Sequence, residues 1–308
     1  MTAAAVIVPS PPVGRTLRDR RLRANLVGWA FILPALIGFT VFYLLPIFRA
    51  VEISFTDWNL LRPGKWVGFS NYAKVWNDKN FWHAMKITVL YVLYNIPLQT
   101  ALALAIAVLA DRLSQSVLLR AVIVAPYLIS NVVAAMVWLL MLDPLLGMTN
   151  AFIKFIGGSQ VPFLTSPDYA LMSVAGISIW RHVGFTALLF YTGLKSIPQN
   201  LYEAARIEGA SEWKQFRYIT LPLLRPVMAF IMVTSVIGSF QVFDVIAVTT
   251  TGGPANSTRV ILYYIYENAF RFNKMGYASA LSVVLFALLI GITLMQMRVM
   301  RGGDSDLA

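Results

Sequence analysis

Long apolar runs separated by short polar stretches dominate the pattern along this chain. Runs of roughly the 20 residues that a helix needs to cross a hydrocarbon core occupy positions 26–48, 84–110, 117–142, 170–194, 226–250 and 277–299, each bounded by charge or by Pro, Gly and Asn. Together they fill nearly half of the 308 residues and leave no connection long enough for a large soluble domain. The pattern predicts an all-α integral membrane fold with six transmembrane helices over 26–300, a basic leader at 1–25 and a tail at 301–308. The first run is too long for a removable signal peptide and lacks its small-residue cleavage site.

Charge sets the expected orientation. The leader holds Arg15, Arg18, Arg20, Arg21 and Arg23 against Asp19, which predicts a cytoplasmic N-terminus and, with six spans, a cytoplasmic C-terminus. The loops then left outside are rich in Trp, Tyr, Asn, Gly and Pro, as in Trp58-Asn59 and Trp66-Val67-Gly68. The leader itself, Ala/Val/Pro-rich at its start, is expected to be disordered. Pro34, Pro46, Pro97 and Pro126 lie inside spans. A backbone carbonyl freed in lipid needs another partner, so each marks either a tolerated proline in a packed bundle or a kink where a pathway opens.

Composition narrows the class further. The chain is 58% hydrophobic and 13% charged, whereas soluble domains are about 45–50% apolar and about 25% charged. With no cysteine and only His83 and His182 as histidines, neither a disulfide framework nor a Cys- or His-based metal site is indicated. The net charge of +11 concentrates in the leader and in one inter-span loop, so topology accounts for it and no nucleic-acid partner is implied.

That loop, residues 195–225, carries the most information. Pro198 suits a first helical turn, and Glu203, Ala204, Ala205 and Arg206 are good helix formers. Gly209 sits where a helix ends in the left-handed conformation, and Ser211 is a natural N-cap for a second helix. That second helix puts Trp213 and Phe216 on one face beside Lys214 and Arg217, and Leu221-Pro222 is expected to stop it. On spacing alone, an amphipathic hairpin lying on the membrane fits somewhat better.

Glu203-Ala204-Ala205 with Gly209, followed by Ile219, Leu221 and Pro222, resembles the E-A-A-x-x-x-G…I-x-L-P signature of bacterial ATP-binding-cassette (ABC) importer permeases. Ala210, Phe216 and Pro226 also fit, and Glu208 stands where the sugar-transporting branch usually has Asp. Downstream, Phe243-Asp244, Thr251-Gly252-Gly253-Pro254, Tyr263 to Phe270 and Gly276 to Ala280 are similar to the carbohydrate-uptake permeases related to the maltose system. Asp143-Pro144, Gly147, Asn150, Trp180, Gly184 and Gly193-Leu194 follow the same family.

The resemblance implies a type I importer permease whose cytoplasmic loop is a coupling helix, with Glu203, Ala204, Ala205, Glu208, Gly209, Ala210, Trp213 and Phe216 contacting a separate ATPase. It implies two such ATPase subunits, a second homologous permease and an extracytoplasmic solute-binding protein in a bacterial cytoplasmic membrane. ATP and Mg would belong to the ATPase, with no cofactor on this chain. The cargo implied is a sugar, or alternatively glycerol 3-phosphate or a glycerophosphodiester.

Polar groups inside spans are expensive and hence functional candidates. Tyr91, Tyr94, Asn95, Asn131, Phe240, Gln241 and Asp244 combine the amide, carboxylate and aromatic groups that suit a sugar. Tyr91, Tyr94 and Asn95 share one helical face, as do Phe240, Phe243 and Asp244. Asp244 is either a path residue or the partner of Arg259 or the preceding loop, and Arg181 is more readily a cation locked to carboxylate or helix carbonyls than one facing cargo.

Other functions fit less well. No G-x-x-x-x-G-K-[ST] phosphate loop is present, since Gly193-Leu194-Lys195-Ser196 lacks the first glycine and the Gly-Lys step, so energy must come from another chain. An ion-coupled secondary transporter would show several intramembrane carboxylates, and only Asp244 qualifies. A membrane enzyme would need paired acids or a nucleophile with its base, and no catalytic residue is visible.

Overall fold

The computed structural model describes residues 17–113 and 116–301. Positions 1–16 of the leader and 302–308 of the tail lie outside the described residues. The rest of the leader, expected to be disordered, is instead the start of helix α1, Leu17–Phe39.

The chain divides into two compact units, residues 1–52 and 53–308. In the first, α1 continues through a π-helical turn, Thr40–Leu44, into α2, Leu45–Ser54. Phe31, Phe42 and Phe48 are exposed along it, as suits a helix apolar all round that meets lipid. Neither Pro34 nor Pro46 ends it.

The second unit holds α3 (Ser70–Asn77), α4 (Lys79–Leu113), α5 (Val117–Leu128), α6 (Asn131–Met141), α7 (Met148–Phe155) and α8 (Pro167–Lys195). It continues with α9 (Gln199–Ile207), α10 (Glu212–Gln215), α11 (Leu221–Leu223), α12 (Arg225–Phe240), α13 (Asp244–Thr249), α14 (Ile261–Tyr266) and α15 (Met275–Arg301). Among the described residues β-structure is limited to isolated bridges.

Helix α4 organises this unit because residues along its inward side enter three different apolar clusters. Phe81, Met85 and Ile96 pack with α12, α14 and α15. Ile87 and Tyr91 pack with α6, α8 and α13. Ala103, Ala107 and Ala110 meet Ala187 and Phe190 of α8. In lipid there is little hydrophobic drive between helices, so small residues that let two backbones approach supply the packing. Gly184 does the same on the other side of α8, where an added Cβ would lie 1.9 Å from the Ile123 carbonyl oxygen of α5.

Two predicted spans are broken. The run 117–142, read as a single helix, is α5 and α6 meeting at 91°. The break falls at Ile129, where Ser130 caps α6 by accepting a hydrogen bond from Val133 N–H at 3.3 Å; the intrinsic N-cap preference of Ser beats the apolar run. The run 226–250 is α12 and α13, parted by Gln241 to Phe243. The helix begun by α10 passes through a π-helical turn, Phe216–Thr220, into α11 and ends at Leu223, one residue past the Leu221-Pro222 step expected to stop it.

At the N-terminal end of α4, Asp78 accepts hydrogen bonds from the hydroxyls of Tyr264 and of Tyr277, the latter at 2.6 Å. Burial raises the Asp78 pKa, but these bonds and the N–H groups of Asn80 and Phe81 outweigh it and leave the carboxyl below its ordinary value. Burial, then the Asp78 bond, push Tyr264 up to about 12 from 10.0. A raised folded pKa adds stability that is complete below pH 10 and lost as pH rises through about 12. Unfolding followed between those pH values should therefore show a steep alkaline loss in the wild type, flattened in Tyr264→Phe.

Candidate functional site: a polar cavity at two helix breaks

The two broken helices meet. Asn131, first residue of α6, donates from Nδ2 to the Asp244 carboxylate, first residue of α13, at 2.9 Å. Arg259, the alternative partner of Asp244, instead pairs with Glu267 at 2.6 Å. Each break ends a helix inside an otherwise apolar run, so polar side chains collect where backbone groups are freed.

Arg181 meets that demand at the α5 end. Its Nε donates to the Ile129 carbonyl at 2.9 Å and its Nη2 to the Tyr127 carbonyl at 3.1 Å. The third arm, Nη1, lies 2.8 Å from His182 Nε2. His182 Nδ1 is 2.8 Å from the Ser178 carbonyl, which can only accept, so the proton sits on Nδ1 and Nε2 takes the Arg181 proton. This imidazole is neutral, and the guanidinium has all three nitrogens committed.

Between α4, α5, α8, α12 and α13 the breaks leave a cavity of about 360 Å³, within the ~300–1,000 Å³ of small-molecule sites. Five of the residues singled out from the sequence line it: Tyr91, Asn95, Asn131, Gln241 and Asp244. Two do not. Tyr94 is on the exposed side of α4, and Phe240 is buried against α4 and α15. Each lies one residue from a lining position, where a helix turns by about 100°; at the break Phe243 takes the place expected of Phe240.

The cavity also gathers Gln99, Tyr127, Ser178, Phe185, Thr186, Thr234, Ser235 and Ser239. Hydroxyl residues inside an apolar run carry little sequence signal, because they bond to their own helix, as Thr234 does to the Phe230 carbonyl at 2.8 Å. Two cross-helix bonds fix its wall: Asn95 Nδ2 to Ser239 Oγ, and Gln99 Nε2 to Thr186 Oγ1, each 3.0 Å. Asn95 is 6% exposed and its Oδ1 has no partner. A buried amide oxygen without a donor costs about 1–3 kcal/mol, so this acceptor is available to a ligand. Tyr127 and Phe185 stack with centroids 4.4 Å apart. Among the described residues lining the cavity none is Lys or Arg, and no group of three or more His, Asp or Glu among the described residues could hold a metal.

At the other end of α4, α9 and α10 form a corner. Gly209 takes φ +74°, and an added Cβ would meet nothing within 4 Å there, so backbone conformation alone favours glycine. Ser211 caps α10 through Lys214 N–H at 3.4 Å. The corner is held by Arg112–Glu212 at 2.5 Å, Lys195–Asp111 at 2.7 Å and Tyr202–Thr220 hydroxyls at 2.9 Å. Glu203, Ala204, Glu208 and Gly209 are exposed, Ala205 and Ala210 half-buried, and Trp213 stacks on Phe216 with centroids 5.7 Å apart. Ile207 and Trp213 stand 87% and 70% exposed.

A bundle of apolar helices, two of them broken around a polar cavity, is the design of a solute permease. The chain belongs to the family described as binding-protein-dependent transport system inner membrane component, whose model matches residues 88–300. It is the permease subunit of an ABC importer, a multi-pass membrane protein and not itself an enzyme. It is 34% identical over 283 residues to the trehalose/maltose transport system permease protein MalF of Thermococcus litoralis, covering 91% of this chain and 96% of that one. The lactose transport system permease protein LacF of Rhizobium radiobacter is 34% identical over 277 residues, 87% and 92% of the two chains. The sn-glycerol-3-phosphate transport system permease protein UgpA of Rhizobium meliloti is 31% identical over 278 residues, 89% and 94%. A crystal structure of a bacterial ABC transporter involved in the import of the acidic polysaccharide alginate shares the fold, with a TM-score of 0.82 at 23% identity over 93% of this chain and 99% of that one.

Replacing Arg181 by Met strips the Tyr127 and Ile129 carbonyls of their donors, at about 1–3 kcal/mol each. Thermal unfolding in detergent should show a clear drop in Tm, with Arg181→Lys recovering only part of it because one ammonium cannot reproduce the fork.

Proposed function

We propose that this chain carries a neutral sugar across the membrane, through the cavity at the α5–α6 and α12–α13 breaks. The observation that carries the reading is the cavity lining. It offers an unpartnered buried amide oxygen on Asn95, further amides on Gln99, Asn131 and Gln241, and the Asp244 carboxylate. These are the planar hydrogen-bonding groups that sugar hydroxyls take, with the Tyr127–Phe185 stack and Phe243 for the C–H faces. Curated relatives include permeases named for trehalose/maltose and lactose, and also one named for sn-glycerol 3-phosphate. The lining favours the first kind: its fixed charge is negative, and the nearby guanidinium is spent on backbone carbonyls, leaving nothing to neutralise a phosphate.

The α9–α10 corner is the coupling element in this reading. Exposed Ile207 and Trp213, beside the small Ala204 and the exposed Glu203, form an apolar knob that docks in a cleft of an ATPase subunit, with Gly209 setting the angle between the helices. Two such subunits close on ATP and, through this corner and that of a second permease, switch the cavity between the two sides. A solute-binding protein delivers the sugar at the end where α4 begins, which the charge pattern puts outside, with both termini cytoplasmic.

Two measurements test this in vesicles carrying the whole importer. Asn95→Leu should cut uptake of the sugar at least about tenfold, the loss of one or two buried hydrogen bonds, while ATPase stimulation by loaded binding protein persists. Glu203→Lys or Gly209→Asp should leave membrane insertion intact and abolish that stimulation; undiminished stimulation in both rejects the coupling assignment.

A further inference from the structure

Helix α3 is apolar on two sides, one buried and the other carrying large rings that touch Phe55, Tyr72 and Trp82 only in part and stay mostly exposed. Its inward face carries Asn71, Tyr72 and Val75. Asn71 Nδ2 donates to the Ser54 and Thr56 carbonyls at 2.9 and 2.8 Å, and the Tyr72 and Ser54 hydroxyls lie 2.6 Å apart. The segment is thereby pinned, so its other face points where it does by construction. That face holds Phe69, Ala73 and Trp76 at helical spacing, with Trp66 ahead of it. Phe69 and Trp76 are 73% and 71% exposed.

This patch continues a lipid-type surface. Along α4, Trp82, Val89, Leu93, Leu98, Leu102 and Leu109 are all exposed and recur at steps of four, five and seven residues, one stripe along the helix. At its upper end Trp82 packs edge-on against Trp76 with centroids 5.3 Å apart, and its indole N–H donates to the Trp76 carbonyl at 2.9 Å. The stripe therefore runs from α4 into α3 at the level where α4 and α15 begin. Arg62, Lys65 and Lys74 are exposed on the same segment. Indole rings with cations on the same segment at the end of apolar spans match the headgroup layer, where Trp is enriched and Lys and Arg meet lipid phosphates.

We propose that α3 and the loop before it form an interfacial anchor: Trp66, Phe69 and Trp76 lie in the headgroup layer of the leaflet bordering the first turn of α4. The anchor fixes the depth and tilt of α4, the helix shared by all three apolar clusters. It stands independently of the cargo and coupling assignments.

The chain contains no cysteine, so single-cysteine variants Phe69→Cys and Trp76→Cys can be labelled cleanly with an NBD fluorophore in the assembled importer in nanodiscs. Leu98→Cys serves as the deep reference and Asn77→Cys as the water-facing one, and retained transport verifies each variant. Interfacial segments sit about 5–10 Å into the headgroup and acyl boundary, so a headgroup nitroxide lipid should quench positions 69 and 76 more than a mid-chain nitroxide does, with the order reversed at 98. Quenching at 69 and 76 no greater than at 77 overturns the anchor. Protection of 69 and 76 only on adding the binding protein overturns it as well, and assigns the patch to that partner. Protection from both nitroxides without binding protein overturns it in favour of a neighbouring subunit.

Discussion

A peptide carbonyl freed inside a bilayer has no water to turn to, and that constraint shapes the part of this molecule that holds the cavity. The α5–α6 break exposes the carbonyls of Tyr127 and Ile129 in the middle of a long apolar run, and a single guanidinium, Arg181, satisfies both. Ser130 starts α6 at the bend, and the fork on the neighbouring α8 supplies the partners that the bend leaves wanting. A costly intramembrane cation is thereby converted from a candidate cargo contact into the part that keeps the cavity in shape.

The same economy governs the cavity. Its walls are joined by amide–hydroxyl bonds between helices, Asn95 to Ser239 and Gln99 to Thr186, which hold polar groups facing inward while the opposite faces of the same helices remain lipid-compatible. Asn95 donates to the wall and keeps its oxygen free. A side chain whose donor is structural and whose acceptor is vacant can still accept a hydrogen bond from a group that enters the cavity.

One helix joins the cavity to the α9–α10 corner: α4 reaches from Asp78, held by two tyrosine hydroxyls, to Asp111 and Arg112, which pair with Lys195 and Glu212. Its small-residue face packs closely against α8. The corner ion pairs are exposed and individually weak; the packing of Ala103, Ala107 and Ala110 matters more.

Hydropathy alone determined that this is an all-α membrane protein, because burying backbone in lipid leaves a 20-residue apolar run few options but a helix. Local motifs such as Gly209 and Ser211 were equally legible, since a left-handed turn and an N-cap depend on only a few neighbouring residues. Five cavity-lining residues could be picked out for the same reason: a lone amide, carboxylate or phenol is conspicuous against an apolar run. The breaks at Ile129 and at Gln241 to Phe243 were not, because both lie within windows that still average as strongly apolar. Which face Tyr94 and Phe240 present, what Arg181 bonds, and that Asn131 reaches Asp244 across 113 positions are decided by the packing of α8 and α13 against segments remote in sequence. The helix-forming tendency is a property of each segment, whereas the cavity is a property of where several segments stop, and only the tertiary structure fixes those points relative to one another.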